Sequence, residues 1–163
     1  MSVIDTLITD RTAADVSAIR QLNNIAWGDM SPDQQTTWNA DSKGAYNASD
    51  LNRVGSACDY VYNLLLSNGY DTPGYETPKT DWTDGDIPTI EQLETYIGNV
   101  AALKARLSMM QEMPANMRFL SYEGANQIER MLVAANDILE KMAQSFVYCG
   151  QTFCGQIWTE FGG

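Results

Sequence analysis

The chain has 163 residues, of which 44% are hydrophobic, 21 acidic and 10 basic, for a formal charge of −11. That length supports one domain with its own core, and the acidic balance excludes a grip on nucleic acid or anionic membrane driven by Lys and Arg. The absence of histidine excludes Ser-His and Cys-His nucleophilic machinery and any His-ligated catalytic metal.

The start, Met1-Ser2-Val3-Ile4-Asp5, lacks the basic and apolar regions of a secretory signal, so synthesis in the cytoplasm without a Sec signal is expected, which leaves release inside a particle open. No run approaches the roughly 20 apolar residues that a membrane span needs. The first predicted helix begins after Thr12: Thr12 and Asp15 stand at capping-box spacing, and Val16, Ile19, Leu22 and Ile25 recur with helical period. Trp27-Gly28 closes it. A short second helix is expected from Ser31, with Pro32 at its first position and Trp38 pointing inward.

After a break at Gly44-Ala45-Tyr46-Asn47, a long helix is predicted to begin near Ser49. Its apolar stripe is Leu51, Val54, Cys58, Val61 and Leu65, and Gly69 stops it. Gly55 inside this helix costs about 1 kcal/mol against alanine, which points to another backbone packing close by. Residues 69–88 carry Pro73, Pro78 and Pro88 together with Tyr70, Tyr75 and Trp82, the composition of a loop packed onto its domain. Thr89 and Gln92 form a second capping box. Behind them runs the stripe Ile90, Leu93, Ile97, Val100, Leu103 and Leu107. Met109, Met110 and Met113 are read as core filler at the helix end. The last long helix is expected over residues 122–145, with Ala125, Ile128, Leu132, Ala135, Leu139 and Met142 inward.

Three long helices with one 3-4 rhythm predict a mainly α protein. The expected architecture is an antiparallel helical bundle of three long and two shorter helices. The period changes at residue 146. The unit aromatic-Cys-Gly-Gln occurs at Tyr148-Cys149-Gly150-Gln151 and again at Phe153-Cys154-Gly155-Gln156, and the surrounding residues favour strand. Residues 1–145 are therefore read as the bundle domain. Residues 146–163 are read as a short C-terminal β segment that packs on the bundle or adds to a neighbouring subunit. Phe146, Tyr148, Phe153, Ile157, Trp158 and Phe161 are its candidate interaction residues.

Motifs that would carry chemistry do not assemble. Cys58 falls on an apolar stripe, and Cys149 and Cys154 have no zinc spacing. The acidic stretch at residues 81–86 puts Gly85 where a calcium loop needs an oxygen ligand, so a turn suffices. Glu91, Glu94, Glu123, Glu129 and Glu140 read as exposed helix faces. Asn52 and Asn126, near the starts of two long helices, are expected to bond nearby backbone or cap facing elements. The expectation is a chain without catalytic, cofactor or metal residues.

Asp50-Leu51-Asn52-Arg53-Val54 opening a helix, and the stretch from Pro78-Lys79-Thr80-Asp81-Trp82 through Gly85-Asp86 to the capping Thr89, resemble segments of small tail- or baseplate-associated proteins of Firmicutes phages and prophages. Ile8-Thr9-Asp10-Arg11-Thr12 and Gly44-Ala45-Tyr46-Asn47 fit the same group. So does the doubled C-terminal unit, which carries Cys and Gln where the family has Ser and Glu. The resemblance covers most of the chain in scattered phrases. It implies a non-enzymatic virion structural protein, present in many copies or as a homo-oligomer, whose partners are other virion proteins rather than nucleic acid or membrane. A head decoration or head-fibre protein is an alternative. Another is a host-surface carbohydrate-binding module using Tyr70, Tyr75, Trp82 and Trp158.

Overall fold

The computed structural model describes residues 2–40 and 42–145. Five helices succeed one another: α1 Ala13–Asn23, α2 Pro32–Asn39, α3 Ala48–Ser67, α4 Ile90–Arg106 and α5 Tyr122–Ser145, with 3₁₀ turns at Val3–Thr6 and Trp27–Asp29. The mainly helical class stands, and no strand occurs among the described residues. The β segment expected over residues 146–163, with all six candidate interaction residues, lies outside them. Helix starts obey side-chain chemistry. Thr12 with Asp15, Ser31 with Gln34 and Thr89 with Gln92 are reciprocal capping boxes, and Asn47 with Asp50 forms a further one at α3.

The long helices do not alternate in direction. α3 ends in a Schellman turn, with Gly69 at φ +82° and the Tyr70 N–H on the Leu65 carbonyl at 3.0 Å. The chain then runs back along α3. The Tyr75 hydroxyl bonds Asp59 on the helix's middle turn, Lys79 and Thr80 lie against Gly55, and Trp82 bonds Asn52 near the helix start. Consequently α4 begins at the same end as α3: Tyr96 meets Tyr46 just before α3, while Arg106 near the other end lies over Tyr70. The next connection also returns. Ser108, at φ 51°, closes a second Schellman turn, and residues 115–118 line one groove with Ile90, Leu93 and Ile97. The first turn of α5 shares a concavity with residues 43–46 just before α3, and Glu129, two turns further along α5, bonds Arg53 on α3 at 3.2 Å. Three parallel helices with returning connections thus replace the expected antiparallel bundle. The apolar stripes are alike in either direction; the partners of the loops decide.

The core lies between these three helices. Val54, Ala57, Val61, Val100, Leu103, Ile128, Met131, Leu132 and Ala135 are fully enclosed, and Cys58 sits among them as expected. Each large aliphatic side chain so buried contributes about 1.5–3 kcal/mol. Gly55 does admit close backbone: a Cβ there would stand 3.2 Å from the Lys79 carbonyl oxygen. α1 and α2 bury no residue outright. Trp38, expected inward, is 39% exposed; α2 has no second apolar residue near it to make a buried stripe. Among the methionines, Met109 is buried and Met110 almost wholly exposed. Among the described residues no helix is long and apolar enough to cross a membrane.

Two glycines separate close approach from simple helix cost. A Cβ on Gly44 would stand 2.1 Å from the Asp15 carbonyl oxygen, whereas one on Gly98 in α4 meets nothing within 4 Å. Gly44→Ala is expected to destabilise the fold by about 1–3 kcal/mol through backbone displacement. Gly98→Ala is expected to stabilise it by about 1 kcal/mol through helix propensity. Urea unfolding monitored by circular dichroism measures both.

Candidate functional site

Polar chemistry collects where the returning segments cross the helices. On each long helix one asparagine pairs with both backbone groups of a single residue in an extended segment. Asn52 of α3 accepts from the Trp82 N–H at 2.7 Å and donates to its carbonyl at 2.8 Å. Asn99 of α4 does the same for Glu76 at 2.9 and 2.7 Å. Asn126 of α5 does so for Arg11 at 3.0 and 2.8 Å. The side-chain amide stands in for a neighbouring strand, because its carbonyl and NH₂ match the acceptor and donor of a peptide group. The expectation for Asn52 and Asn126 holds; Asn99 carries no sequence signal of its own beyond a polar residue inside an apolar helix.

Beside Asn126 sits a buried ion cluster. Arg11 Nη2 donates to Asp50 Oδ1 and to Glu129 Oε1, each at 2.7 Å, and Arg11 Nη1 donates to the Ile8 carbonyl at 2.6 Å. Arg53 donates to both Glu129 oxygens at 3.2 and 3.4 Å and also to Asp50 Oδ1. The Ile8 N–H completes Glu129 Oε2, and the Asn47 N–H completes Asp50 Oδ2 at 3.0 Å. Two guanidinium groups and two carboxylates balance to zero. Glu129, expected on an exposed face, is wholly enclosed; its position on the buried side of α5 is tolerable because Arg11 arrives from outside the helix. Every carboxylate oxygen has at least one donor, so the cluster acts as a tie between the N-terminal segment, α3 and α5. Burial of the Arg53 guanidinium works against its charge, but the Glu129 bond and the nearby Glu129 and Asp50 carboxylates outweigh that and hold its pKa above the usual range. Arg11 also lies 5.5 Å from the centre of the Tyr46 ring, whose hydroxyl pairs with that of Tyr96. Burial drives both hydroxyls well above the ordinary tyrosine range.

Among the concavities formed by the described residues, two bear on function. One, of about 380 Å³, lies over the cluster between α1, residues 43–46 and the first turn of α5, with Arg11, Arg20 and Lys43 among its walls. Lys43 is paired with Asp10 at 2.7 Å, which holds the Asp10 carboxyl below its ordinary range. The other, of about 350 Å³, is a groove between α4 and the returning residues 115–118, lined by Ile90, Leu93, Ile97 and Met117. Ile90 is 68% exposed there, and Ile87 and Phe119, close to the lining residues in sequence, are 90% and 87% exposed. The helical period directs Ile90 to the core. Its place at the first position of α4, beyond the last covered turn, leaves it outside instead.

The other aromatic and acidic candidates serve the loop that carries them. Trp82 is buried, donates its indole N–H to the Lys79 carbonyl and has the Lys79 ammonium over its ring. Tyr75 stacks on Tyr62 at 4.1 Å, and Tyr70 lies under Arg106; Trp158 lies outside the described residues. Asp86 closes a turn by accepting from the Thr83 N–H and hydroxyl and from Lys79. Glu91, Glu94, Glu123 and Glu140 are exposed, as expected. Among the described residues no three Cys, Asp or Glu side chains gather in a metal-binding group. Comparison with protein-family models, with curated proteins and with solved structures returned no match.

Removing one charge from the buried cluster strands the others. Glu129→Gln is expected to cost about 3–5 kcal/mol, read as a fall in the urea midpoint. Tyr46, Tyr75 and Tyr96 all have raised pKa values, chiefly from burial. A hydroxyl held neutral by the fold stabilises it fully below pH of about 10, and that contribution is lost as pH climbs past the unfolded value. Titration at 295 nm should therefore show these three of the eight tyrosines ionising only together with loss of helical circular dichroism; smooth ionisation of all in the folded chain would contradict their burial.

Proposed function

We propose that this protein is a non-enzymatic structural component of a bacteriophage virion, in the tail, baseplate or fibre, acting through contacts with other proteins. The observation that carries the reading is the apolar groove at the start of α4. Ile90 on the groove wall, and Ile87 and Phe119 close to lining residues in sequence, remain open to solvent. An apolar groove left open in this way marks a place for a partner. The buried carboxylates support the same reading, since each of their oxygens is taken up by a guanidinium or a backbone N–H. The resemblance of the segments at residues 50–54 and 78–89 to tail and baseplate proteins supplies the class of assembly. A head decoration protein would use the same surface, and position on the particle separates the two.

The test is mass spectrometry of particles purified from the strain that carries the gene. The chain is expected in many copies per particle, fractionating with tails after heads and tails are separated. Ile90→Asp combined with Phe119→Asp, both at exposed positions, should leave helicity unchanged and reduce incorporation at least tenfold. Absence of the unaltered chain from purified particles would contradict the proposal.

A further inference from the structure

The groove lies along the first turns of α4, and Ser145, the last described residue of α5, stands at the opposite end of the three helices. α3, α4 and α5 run in one direction, so Ser145 ends α5 roughly 30 Å from the level of Ile90 at 1.5 Å per residue. Beyond Ser145 comes a stretch rich in large apolar residues and poor in charge. Residues 146–163 contain Phe146, Val147, Tyr148, Phe153, Ile157, Trp158 and Phe161 with a single charged side chain, Glu160. A chain carrying 21 acidic residues in 163 thus keeps one end nearly free of charge. The groove matches it: Ile90, Leu93, Ile97 and Met117 form its floor, with Glu94 and Arg118, one of each sign, among the residues lining it.

We propose that this groove receives the C-terminal segment of a second copy of the chain, joining copies head to tail. The inference rests on the reading of the groove as a protein-binding surface and names its occupant. The distance from Ser145 to the groove favours a neighbour over the same molecule. A segment crossing its own bundle would spend about nine residues of extended chain on the return, whereas the segment of an adjoining copy would arrive at the groove directly. A contact between two different surfaces propagates, closing into a ring or continuing as a filament according to the rotation between copies. That is the mode of growth suited to a protein present in many symmetric copies.

Two full-length variants test it. Ile90→Asp removes the acceptor at an exposed position, and Trp158→Asp with Phe153→Asp removes the donor. Light scattering on the unaltered chain should show mass rising with concentration beyond a dimer. Each variant alone should remain monomeric with unchanged helical circular dichroism. Mixed in equal amounts, the two variants should form a one-to-one dimer that grows no further, because one good donor and one good acceptor remain between them. An unaltered chain that stays monomeric at all concentrations would overturn the proposal in favour of the segment folding back or of a different protein in the groove. Assembly that survives Ile90→Asp, or a mixture that stays monomeric, would overturn it as well. These outcomes are separate from the particle experiment: a chain found in virions but unable to complement in the mixture would leave the virion reading in place and remove this one.

Discussion

Three long helices pointing the same way oblige the chain to travel back along the bundle between them, and each return is a stretch of backbone without helix or sheet to satisfy its peptide groups. The cost of leaving a buried N–H or C=O unpaired is about 1–3 kcal/mol per group. The protein meets that constraint with side-chain amides. Asn52, Asn99 and Asn126 each take up the N–H and the carbonyl of one residue in a returning or incoming segment. All three lie on helices whose other inward residues are mainly aliphatic, so the amides also fix where each segment crosses its helix. A register shift by one residue would exchange a satisfied pair for two orphaned groups.

The ion cluster completes the same device at the end where the three helices start. Arg11 enters with the N-terminal segment and is held by Asn126 through its backbone and by Asp50 and Glu129 through its side chain. Such clusters contribute little net stability when compared with apolar replacements, but breaking one partner is costly. Their effect here is on specificity of arrangement: α3, α5 and the first dozen residues can meet in one way that leaves no charge alone. The buried charges are taken up by the architecture, and an apolar groove stays open beside Ile90.

The elements themselves are legible from local chemistry. Capping boxes at Thr12 and Thr89, the cap at Ser31 and the stop at Gly69 place helix ends closely, because these motifs act within four residues. Stripes such as Val54, Cys58, Val61 and Leu65 identify the buried faces. Direction is not legible, since an apolar stripe has no polarity along its axis and the loop lengths allow either return. Glu129 reads as exposed because its partner Arg11 is 118 residues away, and sequence spacing carries nothing about that encounter. Ile90 reads as buried because it continues the period of its helix, although coverage stops a turn later. Trp38 reads as buried from its size alone, in a helix too short and polar to have an inner face. Asn52 and Asn126 are legible as polar residues near helix starts in need of partners; the identity of those partners is not.

Native-state hydrogen exchange at three amides tests the central claim most directly. The N–H groups of Arg11, Glu76 and Trp82 lie in segments without regular secondary structure, and each donates to an asparagine side chain. If the asparagines hold the returning chain to the helices, these three amides exchange as slowly as the helical amides of Val54 or Val100, while neighbours such as Thr77 and Asp84 exchange orders of magnitude faster. Exchange of all three at the rate of exposed loop amides would show that the segments merely lie along the bundle, and would contradict the account.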